Sequence, residues 1–142
     1  LPAVSVTDWR TALATWLDPA FLVVRAVLPG MRARGWGRII TLVPPPAIAH
    51  VGLATARAAL LGFTGALAQE TAGTGVTANA VVTTGPGAGG AVPGPGPGVG
   101  AAEAETVASE AASVVAFLAS AAAAHLSGQT MTIGTATAAA PP

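Results

Sequence analysis

The chain has no cysteine, no tyrosine and no lysine, and it carries few charges of either sign. Without cysteine there are no disulfides, no thiolate nucleophile and no cysteine metal cage. Without tyrosine or lysine, few side chains are left to act as the positioned proton donor that general acid catalysis needs. Only 8% of the 142 residues are charged, with six arginines against six acids, so no net field draws the chain to nucleic acid or an anionic membrane. A composition that is 52% hydrophobic excludes disorder of the charged, polar kind.

High apolar content raises the question of a membrane span, which needs roughly 20 apolar residues in a row. The best candidate is residues 111–126, rich in alanine and interrupted by Ser113, Ser120 and His125. Alanine drives insertion weakly compared with leucine, so no span is expected. No charged leader with a cleavage site opens the chain, and a signal peptide is not expected either. Leu1 in place of a methionine suggests a fragment, a trimmed chain or a processed one.

What is present is organised around residues 35–70, GWGRIITLVPPPAIAHVGLATARAALLGFTGALAQE. Arg38 to Val43 is a mostly β-branched apolar run, ended by Pro44, Pro45 and Pro46, which lack the N–H a sheet ladder needs. From Thr55 the period becomes helical, with Leu60, Phe63 and Leu67 on one face and the small Ala58, Gly62 and Ala66 on another. A strand feeding a helix through a loop is half of a βαβ unit.

Upstream, Thr7 is placed to cap a helix with Asp8 in its first turn. Leu13, Leu17, Phe21, Val24, Leu28 and Met31 then form an apolar stripe at helical spacing. Pro19 interrupts the stripe, most simply as the first residue of a second helix capped by Asp18. Downstream, Gly73 to Gly75 reads as a turn and Val76 to Val82 as a second strand. Residues 85–100 are almost wholly Gly, Pro, Ala and Val, which predicts a flexible loop. A third helical pattern follows, with Glu103, Glu105 and Glu110 early and Val107, Val114, Phe117 and Leu118 on its apolar side. Residues 136–142 form a loose tail.

The runs GRII at Gly37 to Ile40 and AALLGFTGALAQE at Ala58 to Glu70 resemble the short-chain dehydrogenase/reductase family. Gly75, Val76, Asn79 and Val81 match its Gly-Ile-x-Val-Asn-x-Val strand, and SGQTMTI at Ser127 to Ile133 resembles its Thr-Gly-Gln and final strand. The resemblance covers nearly the whole chain but only the C-terminal half of the family's domain. It implies one α/β domain over residues 1–142, a partial Rossmann-like, doubly wound parallel sheet of about three strands with flanking helices. The family's first half, with its glycine-rich phosphate loop, has no counterpart here.

The same alignment puts Trp16, Pro44, Leu53 and Arg57 where the family has its catalytic asparagine, serine, tyrosine and lysine. The expected catalytic set is therefore empty. Arg57 is the one cofactor-binding candidate, since a guanidinium at the lysine's place keeps a positive charge for a ribose or phosphate. No cofactor is expected for the isolated chain, and NAD or NADP if a nucleotide-binding half completes it. Thr83 and Thr84 replace the family's Pro-Gly corner, which is displaced or rebuilt.

Other candidates have plainer readings. Gly85 to Gly90 spells G-x-G-x-x-G, but Pro86 has no N–H and no helix follows to point at a pyrophosphate. His50 and His125 lack a neighbouring carboxylate or serine in a motif, and two histidines without a ligand pattern make a metal site improbable. Arg32, Arg34 and Arg38 around Trp36 form a small basic patch of the kind that flanks a turn, and nucleic-acid binding is not expected. The expected function is that of a catalytically degenerate dehydrogenase-like domain acting through subunit association. The alternative is part of an NAD(P)-dependent oxidoreductase. Losing the first strands leaves Arg38 to Val43 as an open edge, which predicts a homodimer through residues 18–31 and 55–69, or a heterodimer with a related dehydrogenase subunit. A cytoplasmic location is expected.

Overall fold

Ser5 opens the first helix, α1 (Val6–Trp16), through a reciprocal cap: its hydroxyl accepts from the Asp8 amide at 3.0 Å, and the Asp8 carboxylate accepts from the Ser5 amide at 3.3 Å. Thr7, the expected cap, lies inside the helix. Ser5 wins because it stands three residues before Asp8, the separation a capping box requires. In this computed structural model residues 4–43, 51–84 and 101–134 are described. Pro44, His50, the 85–100 segment and the 136–142 tail lie outside them.

The second helix, α2 (Asp18–Arg34), begins with hardly a break, since the Leu17 amide donates to Leu13 O at 2.8 Å and the Phe21 amide to Leu17 O at 3.2 Å. Pro19 sits in its first turn, where a missing N–H leaves no helical bond unmade. Asp18 is the first helical residue and not the cap, which is Leu17 in a right-handed conformation. Gly35 ends α2 at φ 62, and the Trp36 amide reaches back to Met31 O at 3.2 Å.

The strands β1 (Gly37–Val43), β2 (Val76–Thr84) and β3 (Thr130–Gly134) form one parallel sheet in the order β1-β2-β3. Gly37 lies opposite Val76, Val43 opposite Val82, and Val82 opposite Thr132. α3 (Val51–Glu70) joins β1 to β2, while α4 (Ala101–Ala119) and a short 3-10 turn (Ala121–Ala123) precede β3. The sequence-based fold class holds. α3 starts one turn before the periodic face that announces it, and β2 runs two residues past Val82. Gly75, at φ 77, is needed for closure: a Cβ there would strike the Gly35 carbonyl, and its own carbonyl accepts from the Gly37 amide at 3.3 Å.

The central strand β2 is buried on both faces, as a parallel sheet requires. On one side Val24 and Leu28 of α2 and Leu60 and Leu67 of α3 pack on Val43, Val76, Ala78, Ala80 and Val82. On the other, Leu118 of α4 and Ala123 pack on Val81 and Ile133. Two aromatics expected in these cores are not there: Phe21 is 49% exposed and Phe117 44%. Each helix meets the sheet along a narrow arc, and Phe117 stands about 100° round from the buried Leu118. Ala58, Gly62 and Ala66 all lie on the exposed side of α3.

By length and composition alone, Val6–Arg34 and Val51–Glu70 are apolar enough to cross a membrane, each at a mean hydropathy of 1.4. The sequence pointed instead to residues 111–126, which the structure divides between the end of α4 and the 3-10 turn. The first of the two stretches is α1 and α2 together, and the second is the helix packed against the sheet.

Candidate functional site

An open parallel sheet collects ligands at the carboxyl ends of its strands. Here those ends are Val43 of β1 and Thr83 and Thr84 of β2, with the start of α3 beside them. Leu53, Arg57 and Leu61 stand four residues apart on α3 and so share one face. Leu61 packs on the cluster of Val43, Leu60, Ala80 and Val82, and Leu17 joins the same cluster. That contact brings the end of α1, with Trp16 as its last residue, toward this end of the sheet. Trp16, Leu53 and Arg57 are each half-buried. Three of the four positions singled out in the sequence therefore converge on one region, and Pro44 follows Val43 outside the described residues.

Among the described residues, the side chains at this end are an indole, a leucine, a guanidinium and the half-buried hydroxyl of Thr83. The guanidinium of Arg57 is a planar fork of N–H donors, so it suits an anion or a ribose. His125 is exposed in the connection that leads into β3, toward the opposite end of the sheet. Among the described residues no group of three or more His, Asp and Glu is placed to hold a metal ion.

Two of the three arginines around Trp36 are tied locally. Arg32 Nη2 donates to both Glu70 O and Glu70 Oε1 at 3.0 Å, which joins the ends of α2 and α3. Arg38 lies over the Trp36 ring, 5.3 Å from its centroid, and its Nη1 donates to Gly37 O at 2.8 Å and Gly75 O at 3.3 Å.

Asn79 gains a role that its sequence match alone did not explain. It is 1% exposed in β2; its Nδ2 donates to Leu126 O at 2.9 Å, and its Oδ1 accepts from the Gln129 amide at 3.0 Å. Ser127 Oγ accepts from the Ala78 amide at 3.2 Å, and the Gly128 amide donates to Ala78 O at 2.7 Å. Asn79 and the Ser127–Gln129 run, far apart in sequence, thus form one latch between β2 and the entry to β3.

A parallel sheet with helices on both faces, open at the carboxyl ends of its strands, defines a partial Rossmann-like α/β domain. The chain belongs to the short chain dehydrogenase family, whose profile matches residues 1–88. It is 43% identical over 88 residues to subunit BbsC of (2S)-[(R)-hydroxy(phenyl)methyl]succinyl-CoA dehydrogenase from Thauera aromatica, covering 58% of this chain and 34% of that one. Over 78 residues it is 42% identical to acetoacetyl-CoA reductase from Cupriavidus necator, covering 52% and 32%. Among solved structures, a putative oxidoreductase from Escherichia coli K-12 superposes with a TM-score of 0.74 at 26% identity. An acetoin dehydrogenase from Salmonella typhimurium gives 0.74 at 27%. Both superpositions cover 94% of this chain and 56% of the other. The chain spans about a third of the length of these curated relatives.

Proposed function

We propose that this chain is a catalytically degenerate short-chain dehydrogenase-like domain that acts through subunit association. The observation that carries the first part is Leu53, a half-buried hydrocarbon one turn before Arg57, at the places the family gives to tyrosine and lysine. No tyrosine or lysine occurs elsewhere in the chain to replace them. Association is supported by what α2 and α3 leave uncovered. Phe21, Leu22, Val23 and Val27 of α2 are 39–60% exposed, and an added Cβ at Gly62 would meet nothing within 4 Å. Apolar surface of this kind on α2, and a face of α3 small enough for close approach, suit a helix from another subunit. A relative that is itself named as a dehydrogenase subunit fits the same reading.

The pairing is a homodimer through residues 18–31 and 55–69, or a heterodimer with an active dehydrogenase relative, in the cytoplasm. Light scattering across concentrations tests it with Gly62→Arg as the disrupting variant. A soluble monomer unchanged by that substitution would sink the association. Assays with NADH or NADPH and a panel of ketones should show no turnover. Turnover abolished by Arg57→Ala would overturn the degenerate reading.

A second reading is favoured by the short span against the relatives: the chain forms part of an NAD(P)-dependent oxidoreductase whose nucleotide-binding half lies elsewhere. Arg57 would then face the ribose or phosphate of the dinucleotide.

A further inference from the structure

We draw no further inference here: the strongest candidate, the side-chain cluster of Arg38 and Thr77 at the amino ends of β1 and β2, holds two polar atoms without a partner among the described residues, Arg38 Nε and Thr77 Oγ1, but both are buried and nothing in the structure shows a ligand or segment that reaches them.

Discussion

At the scale of single residues, Asn79 shows how a buried amide earns its place. Its side chain supplies one donor and one acceptor to backbone groups of the segment before β3. Asn79→Leu keeps the volume and strands both the Leu126 carbonyl and the Gln129 amide. Leaving two partly buried backbone groups without their side-chain partners should cost about 1–3 kcal/mol. Urea unfolding would read this as a lower midpoint at unchanged slope. Gln129→Ala is the control, because Gln129 contributes its backbone to the latch and its side chain is exposed; it should stay within about 0.5 kcal/mol of the parent. A loss of similar size in both variants would contradict the latch.

At the scale of elements, the ends of helices are set by specific short-range geometry and their faces by what lies across from them. α1 starts where Ser5 and Asp8 satisfy each other's amides, so Ser5→Ala should cost about 1 kcal/mol and speed amide exchange in the first turn. Thr7→Ala, inside the first turn but without a capping role, should change exchange little. Equal effects of the two would return the cap to Thr7. The faces obey a different rule. Leu60 and Leu67 are buried because α3 lies along β2, and Ala58, Gly62 and Ala66 are exposed because nothing described packs there. Periodicity made this division of α3 legible in advance. It misjudged Phe21 and Phe117, because a stripe at helical spacing shows which residues align and not how wide an arc the sheet covers.

At the scale of the molecule, among the described residues the region at the carboxyl ends of the strands holds one guanidinium and little else with which to grip a dinucleotide. Pyrophosphate binding needs several N–H groups converging at a helix N-terminus after a glycine-rich turn. The run from Gly85 to Gly90 has the glycines but places Pro86 among them. Calorimetric titration of the chain with NAD and with NADP should therefore show no saturable heat. Micromolar binding of either would mean that Arg57 or the glycine-rich segment holds more of the cofactor than this accounts for.

The order of strands and helices, the parallel sheet and the family could be read from the chain alone. Those features rest on local pattern: a β-branched run stopped by prolines, a period of 3.6 after it, and the Asn79 and Ser127–Gln129 runs. The four family positions lacking their usual residues were legible too, since identity at an aligned place needs no coordinates. Convergence of Trp16, Leu53 and Arg57 was not legible, because it depends on Leu17 and Leu61 meeting one cluster from two separate helices. Nor was the buried, unpartnered Nε of Arg38. That residue looks like one of several arginines beside a turn until the β1–β2 register sets it against Thr77, whose Oγ1, like Arg38 Nε, is buried without a partner among the described residues. Which polar groups are left without partners is a property of packing between distant segments, and only the tertiary structure decides it.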